Sequence, residues 1–257
     1  MTGFLNKLQI LFNSRKIFEN WYLYPIVYFK LTKNKYAIFE TKSGQKIKIR
    51  VNSTDLMALT HVWMIQEYQA NTFEIKDNDD VIDIGAHIGL FALYASQFCK
   101  HGRIFCYEPI EENYQLLLEN IKLNNIENIF AFNLAVSDKL SKIKIYLNSD
   151  ESGHSIFVNN KKSVMVNSTT LENIFIKNNI KTCNFLKLDC EGAEYQIIES
   201  LNPIFFEKIS KTIIEYHLAD TNPELLKNLT YKLKSHNFKI NIKKLFSDIG
   251  FLFANSN

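Results

Sequence analysis

The stretch VIDIGAHIGL, residues 81–90, decides the fold of this chain. Its first half predicts a buried strand that carries Asp83, and Gly85 and Gly89 follow where a helix is predicted to begin. In doubly wound folds such a turn brings the backbone close to a nucleotide, and glycine lacks the Cβ that would block that approach. The alternative is a tight turn that serves only close packing. Because the chain has only 8 glycines in 257 residues, a pair at this point favours a specific role.

Downstream, apolar strands alternate with amphipathic helices, which predicts an α/β fold with a mainly parallel sheet. We expect NIFAFNLAV (128–136) to form one strand. We expect CEGAEYQIIESL (190–201) to form one helix that Glu191 and Glu194 open. The closing segments FKINIKKLF and GFLFAN predict an antiparallel hairpin at a sheet edge.

The patterns divide the chain into a small N-terminal cap, residues 1–79, and one main domain, residues 80–257. In the cap, KYAIFETKSGQKIKIRV predicts a hairpin that turns at Ser43 and Gly44. A helix is expected after it, from Leu56 to Gln69.

Composition excludes several classes of protein. The 30 basic residues barely exceed the 27 acidic ones, so the strongly basic surface of a dedicated nucleic-acid binder is absent. The N-terminus lacks the continuous apolar core of a signal peptide, which makes the cytoplasm the expected location. No run is long enough to span a bilayer, but SRKIFENWYLYPIVYFK (14–30) interleaves aromatic residues with cations. That segment predicts either peripheral contact with the inner membrane surface or packing against the main domain.

Glu108 ends the next predicted strand, 19 residues after Gly89, a spacing at which an acidic side chain reaches a ribose diol. A dinucleotide fingerprint that begins at Gly85 would need glycines at positions now held by His87 and Leu90. The chain also has no GK[ST] phosphate-binding loop. An adenosine ligand without phosphates, S-adenosylmethionine, therefore fits best.

The phrases VIDIGAHIGLFALYAS, IFCYEPIEENYQLLLENIKLNN, LAVSD and FLKLDCEGAEYQII together resemble the FkbM family of S-adenosylmethionine-dependent methyltransferases. The resemblance covers about residues 50–220 and implies a Rossmann-like class I methyltransferase fold, with a mainly parallel seven-stranded sheet. His87 is a departure, because the family usually has asparagine there.

The resemblance also implies a set of cofactor contacts. The loop residues would line the methionine half, Glu108 would hold the ribose hydroxyls, and the segment from Ala135 would border the adenine. Thr54 and Asp55 would fold over the cofactor together with Tyr68, for which plain packing is the alternative. The predicted cofactor residues are Tyr68, Asp83, Gly85, Ala86, His87, Gly89, Glu108, Pro109, Ala135, Val136 and Ser137.

Three later residues are the candidates for catalysis, because ligands bind outside the carboxyl ends of parallel strands. Asp189 ends FLKLD, and IIEYH places Glu215 and His217 on one face of a strand. His217 has a reference pKa suited to a base near neutrality, while Asp189 or Glu215 would orient it, bind the acceptor or act as base instead. Sequence spacing does not show the three converging, so no metal site is predicted.

The acceptor follows from the resemblance, which implies O-methylation, often of sugar hydroxyls in glycans, glycolipids or glycosylated metabolites. Neither a Pro-Pro nor a Pro-Cys pair occurs, which disfavours a nucleic-acid base as acceptor. The loop with Ser152, Gly153, His154 and Ser155 offers polar groups for a polyol, or is only a solvated surface loop. A nicotinamide-dependent oxidoreductase and a noncatalytic scaffold on the same fold remain the alternatives.

Overall fold

The computed structural model describes residues 2–70, 72–146 and 162–256, with side chains from residue 9 onward. The first six elements form the N-terminal part: α1 (Thr2–Ile17), α2 (Leu23–Tyr28), β1 (Tyr36–Glu40), β2 (Lys46–Arg50), α3 (Asp55–Leu59) and a π-helical segment (Thr60–Ile65). The remaining elements are β3 (Asp80–Ile84), α4 (Leu90–Ser96), β4 (Arg103–Tyr107), α5 (Glu111–Leu123), β5 (Ile129–Phe132), β6 (Ala135–Val136), β7 (Lys142–Tyr146), β8 (Ser163–Thr169), α6 (Leu171–Lys177), β9 (Phe185–Leu188), α7 (Glu194–Ser200), α8 (Pro203–Phe206), β10 (Lys211–Tyr216), α9 (Pro223–Ser235), β11 (Phe238–Lys244) and β12 (Gly250–Ser256).

A seven-stranded sheet in the order β11-β12-β10-β9-β3-β4-β5 forms the centre of the molecule. The pairs from β10 to β5 are parallel, whereas β12 is antiparallel to both β10 and β11. This confirms the predicted parallel sheet with an antiparallel hairpin at its edge. Every residue of β9 is buried, as expected for a parallel strand covered on both faces.

Helices cover both faces of the sheet. On one face α6, α7 and α9 pack over residues such as Ile82 and Leu186. On the other, α4 and α5 pack over residues such as Val81, Ile104 and Phe185. Each fully buried Ile, Leu or Phe contributes roughly 1.5–3 kcal/mol relative to exposure, so the apolar alternation seen in the sequence is the main stabilising term of the sheet.

Asparagine side chains attach the N-terminal hairpin β1-β2 to α5. Asn120 accepts a 2.7 Å bond from the Lys48 N–H and donates to the Lys48 carbonyl at 3.0 Å. Asn124 repeats this pairing with the N–H and carbonyl of Lys46, both at 2.7 Å. Each amide satisfies backbone groups of β2 as a neighbouring strand would. The division at residues 79 and 80 remains a prediction, but the hairpin itself turns through Gly44 as expected.

Several predicted boundaries were wrong. The single strand over 128–136 breaks after Phe132, because β6 leaves the main sheet and pairs with β8. The helix expected over 190–201 begins at Glu194, since Glu191 and Gly192 have φ of 53° and 106°. The helix after Leu56 ends as a π-helical segment at Ile65, where Gln66 turns left-handed. Among the described residues, no helix has the length and apolar character needed to cross a membrane.

Candidate functional site

The carboxyl ends of β3, β4, β9 and β10 open into one cavity of about 510 Å³. All three predicted catalytic residues line it. The predicted cofactor residues that line it are Tyr68, Gly85, Ala86, His87, Glu108, Pro109, Ala135 and Val136. Asp83, Gly89 and Ser137 are buried and are not part of this lining, and their contacts with the cofactor stay predictions.

The two glycines of the loop are needed for packing at the edge of the cavity. Gly85 has φ +77°, and a Cβ there would lie 1.7 Å from the carbonyl oxygen of Asp189. Gly89 has φ +86°, and its Cβ would lie 2.4 Å from Leu117. Both conformations are unfavourable for other residues. Gly85 therefore lets the loop after β3 touch the end of β9, which differs from the expected role of clearing space for a ligand.

Glu108 is the acidic residue of the cavity wall on the β4 side, and it is 5% exposed. Its carboxylate accepts the His87 N–H at 2.8 Å and the Ile110 N–H at 2.9 Å. Burial raises the pKa of Glu108 to about 7, although these N–H groups act in the opposite direction. Asn113 Nδ2 also donates to this carboxylate, at 3.4 Å, and a carboxylate has about four acceptor positions, so Glu108 keeps one for a ribose hydroxyl.

Sequence reasoning missed Lys187, which lies in the middle of buried strand β9. Its ammonium donates to Asp83 Oδ1 at 3.0 Å and to the Gly85 carbonyl at 3.1 Å. Burial disfavours the charged form, but Asp83 and Asp189 outweigh it and hold the pKa of Lys187 above its usual value. Lys187 thus connects the β3 loop to the candidate catalytic residues. A lysine inside an otherwise apolar run was the signal that pointed to it.

The side chain of His87 points towards the N-terminal part of the chain. Its Nε2 lies 3.2 Å from Arg50 Nη2 and 3.4 Å from Asp55 Oδ1. Arg50 forms a two-pronged pair with Asp55, which is fully buried. Neither Thr54 nor Asp55 lines the cavity, and their contact with the cofactor stays a prediction. Asp55 instead positions Arg50 behind His87.

Tyr68 joins the ends of β9 and β10. Its hydroxyl lies 3.1 Å from Asp189 Oδ2 and 3.2 Å from Glu215 Oε2, so it bridges the two carboxylates. Its ring contacts Phe91 and Phe251, with ring centroids 5.3 Å and 5.5 Å apart. Tyr68 therefore packs against aromatic residues through its ring and contacts the two carboxylates through its hydroxyl. Burial, with the charge of Asp189, raises the pKa of Glu215 to about 8.

His217 follows β10 and faces the same cavity. Its Nδ1 is 3.0 Å from Glu194 Oε1, which also accepts the His217 N–H. Burial opposes a charged imidazole, but Glu194, Glu191 and Asp189 outweigh it and raise the pKa of His217 to about 10. The expected near-neutral base does not match this environment, since the imidazole holds a proton in the free protein at pH 7. Its membership of the catalytic group stays a prediction.

Glu191 and Glu194 were both expected to open a helix, and of the two only Glu194 does so, as the first residue of α7. Glu194 is fully buried, and its Oε2 accepts the Gly192 N–H at 2.8 Å while its Oε1 holds His217. Glu191 lies in the preceding turn and lines the cavity. Both acids therefore contribute to the site, Glu194 from the first turn of α7 and Glu191 from the turn before that helix.

The sequence of this chain matches a known family of proteins. Residues 83–240 match the methyltransferase FkbM domain family. The chain belongs to the FkbM methyltransferase family. Methyltransferase 1 of Beauveria bassiana (strain ARSEF 2860) is 22% identical over 190 residues, which cover 65% of this chain and 75% of that protein. Methyltransferase sdnD of Sordaria araneosa is 21% identical over 174 residues, which cover 55% and 67%.

Solved structures agree with the fold of this FkbM methyltransferase. The fibrillarin pre-rRNA processing protein of Methanococcus jannaschii is 12% identical, with a TM-score of 0.50 over 88% of this chain and 86% of its own. This likeness concerns the fold alone and confirms the class I methyltransferase architecture.

The enzyme is an S-adenosylmethionine-dependent methyltransferase. The cavity of this FkbM methyltransferase fits that cofactor, because Glu108 has free acceptor capacity for a ribose while Ile110, Ala135 and Val136 offer an apolar surface for a base. At the end where β9 and β10 finish, the Asp189 carboxylate would supply negative charge for a sulfonium. The nicotinamide oxidoreductase and the noncatalytic scaffold are not supported.

Some wall residues of the cavity were not predicted at all. The N-terminal helices contribute apolar residues and His61, and the β11-β12 loop closes the side next to β10. These residues are Met57, Ala58, His61, Val62, Leu245, Phe246 and Ile249. The polar loop with Ser152, Gly153, His154 and Ser155 lies outside the described residues. Its predicted contact with a polyol stays a prediction.

Proposed function

We propose that this enzyme transfers a methyl group to a hydroxyl of a sugar in a glycan, a glycolipid or a glycosylated metabolite. The observation that carries the proposal is the pair of carboxylates, Asp189 and Glu215, that Tyr68 bridges at 3.1 Å and 3.2 Å beside the cofactor loop. Carboxylates accept hydrogen bonds from hydroxyl groups, and Phe246 at the cavity wall is 69% exposed. An aromatic ring there suits the apolar face of a sugar ring.

S-adenosylmethionine, when bound, supplies the methyl group, and its carbon–sulfur bond breaks while the acceptor oxygen bonds to that carbon. The acceptor hydroxyl must lose its proton as this bond forms. We assign that proton to the Asp189 carboxylate, because Asp189 ends β9 next to the Gly85 turn and Tyr68 fixes one of its oxygens. Glu215 holds the acceptor hydroxyl from the neighbouring strand end. His217, fixed by Glu194, positions Glu215.

An acceptor screen with methyl-labelled S-adenosylmethionine tests the proposal. We expect label in sugar glycosides as a methyl ether, and none in amines or in nucleic acid. Asp189→Asn should lower turnover by about 10²- to 10⁴-fold, the usual contribution of a general base. Its affinity for S-adenosylhomocysteine, measured by calorimetry, should stay within about twofold, a change of at most about 0.4 kcal/mol. Transfer to an amine alone, or full turnover in Asp189→Asn, contradicts the proposal.

We also propose peripheral contact between the N-terminal helices and an anionic membrane surface on the cytoplasmic side. Trp21, Tyr22, Tyr28 and Phe29 flank or end α2, and all are exposed, Phe29 by 63%. We call these four the aromatic surface. Residues 15–35 contain five cations and one acid, Glu19. Exposed aromatics beside a cationic excess are typical of helices that lie on anionic lipid. Tyr24 and Val27 are buried instead, so packing against the main domain also occurs.

A further inference from the structure

Asp189, Glu215 and His217 each bring one donor atom to a common point, with these atoms within 4.8 Å of one another. The other polar atom of each side chain is already engaged. Tyr68 holds Asp189 Oδ2 and Glu215 Oε2, and Glu194 holds His217 Nδ1. Among the residues that the structure describes, this leaves Asp189 Oδ1, Glu215 Oε1 and His217 Nε2 without a hydrogen bond.

The orientation of His217 is the second observation. Its side chain is 7% exposed, and Glu194, which is not one of the three donors, fixes the ring through Nδ1 at 3.0 Å. This places Nε2 at 3.9 Å from Glu215 Oε1 and 3.6 Å from Glu191 Oε2. Metal-binding histidines in proteins have this arrangement, with one nitrogen held by a carboxylate and the other directed at the ion.

The charges of the surroundings favour a cation. Asp189, Glu191, Glu194 and Glu215 all lie within this corner of the site. Lys187 is the nearby ammonium, but its hydrogen bonds go to Asp83 and the Gly85 carbonyl, and it lies 3.6 Å from Asp189 Oδ2, the oxygen that Tyr68 also holds. It therefore leaves Asp189 Oδ1 available.

We propose that Asp189, Glu215 and His217 bind one divalent cation of the magnesium or manganese class. Two carboxylates and one imidazole are suitable ligands for such an ion, which on binding would displace the proton that the imidazole carries in the free protein. Adjacent ligands at about 2.1 Å from an octahedral ion lie about 3 Å apart, so the three donor atoms, now within 4.8 Å of one another, would move together by side-chain rotation when the ion binds. The expectation of no metal came from sequence spacing, which does not show that the three side chains converge.

The cation would take part in the proposed sugar O-methylation. Only this catalytic role, and not the binding of the ion, rests on that proposed function. An open coordination position would hold the acceptor hydroxyl oxygen, and the ion would make that hydroxyl easier to deprotonate. With the ion bound, Asp189 and Glu215 would act as its ligands, and the proton assigned to Asp189 under the proposed function would pass to water instead of directly to that carboxylate. Binding of the cation itself needs neither acceptor nor cofactor, which separates the two proposals experimentally.

The test is titration of the chelator-treated full chain with Mn²⁺, followed by electron paramagnetic resonance. We expect one Mn²⁺ per chain and nitrogen coupling from His217, which His217→Gln removes. Asp189→Asn and Glu215→Gln should each weaken Mn²⁺ binding at least about tenfold. Glu67→Gln is the matched control, because Glu67 lines the same cavity but is not one of the three donors. It should bind Mn²⁺ like the unmodified chain.

Calorimetry with S-adenosylhomocysteine verifies that each variant is folded with an intact cofactor site. Absence of bound Mn²⁺ at millimolar concentration overturns the cation proposal, as does unchanged affinity in both carboxylate variants. If Mn²⁺ binds as expected but no sugar is methylated, the cation proposal holds and the acceptor proposal fails. If sugars are methylated at full rate in the presence of a chelator, the acceptor proposal holds and the catalytic role of the cation fails.

Discussion

Lys187 donates a 3.0 Å hydrogen bond to Asp83, and the side chains of both residues are almost wholly buried, at 3% and 0% exposure. A buried ion pair adds little stability over apolar residues of the same size, but removal of one partner leaves an uncompensated charge. The pair also lies between the β3 loop and the end of β9. It therefore holds the β3 loop in place against the end of β9.

We predict that Lys187→Met lowers the free energy of unfolding by about 3–5 kcal/mol, because Asp83 then has no buried cation. Urea unfolding at pH 7 measures this. Lys227→Met is the control, since Lys227 pairs with Glu224 on the surface, with side chains 72% and 64% exposed. Its effect should be below about 0.5 kcal/mol. Equal effects of the two substitutions would contradict the role given to Lys187.

Gly85→Ala tests whether the turn is set by contact with β9. Its φ of +77° and the 1.7 Å approach to the Asp189 carbonyl require the backbone to move, so we expect a loss of more than about 3 kcal/mol and reduced turnover. Gly44→Ala is the matched control, with φ +87° but no atom within 4 Å of the new Cβ. It should cost only about 1 kcal/mol. A similar cost at both glycines would show that conformation alone matters.

The sequence predicted the fold because its strands and helices bury residues with regular periods, and it predicted Glu108 and Asp189 because parallel strands end on one side of a sheet. The connections between distant segments were not predictable in the same way. His87 and Arg50 meet only because the Asn120 and Asn124 side chains attach β2 to α5. No local sequence pattern indicates such a contact between distant segments.

Lys187 and the turn at Glu191 show a second limit of periodic patterns. The lysine was visible in FLKLD, but its partner Asp83 lies on another strand, 104 residues away in the sequence. The helix was expected to start at Cys190 because the apolar spacing continues through it. The positive φ of Glu191 and Gly192 delays the helix, and Glu194 then faces His217 instead of solvent.

Cofactor binding should depend on pH through Glu108, whose pKa burial raises to about 7. The ionised carboxylate accepts ribose hydroxyls better than the protonated form. Affinity for S-adenosylhomocysteine should therefore rise between pH 6 and pH 8, by up to about tenfold as the ionised fraction grows. Calorimetry at both pH values measures this, and Glu108→Gln should bind more weakly with a flat profile. An unchanged slope in that variant would assign the pH dependence to another group.

The same group has an opposite effect on the stability of the protein without cofactor. Because the folded pKa is raised, folded protein retains a proton that the unfolded chain releases above about 4.5. The contribution of this proton is fully present below pH 4.5 and is lost as pH rises through 7, for a total of roughly 3 kcal/mol. We expect the difference in unfolding free energy between Glu108→Gln and the unmodified chain to change by that amount over this range. A constant difference would contradict it.

Vesicle sedimentation tests the aromatic surface at the N-terminus. We expect the chain to pellet with vesicles that contain an anionic lipid, and less so with neutral vesicles or at high salt, because the cations of residues 15–35 meet the headgroups. Trp21→Ser combined with Phe29→Ser should reduce the pelleted fraction severalfold, since both side chains are exposed and contribute apolar area to the lipid contact. Tyr231→Ser is the matched control, because Tyr231 is 75% exposed on α9, in another part of the molecule. Equal loss in the control, or no difference between neutral and anionic vesicles, would mean that this surface does not bind lipid.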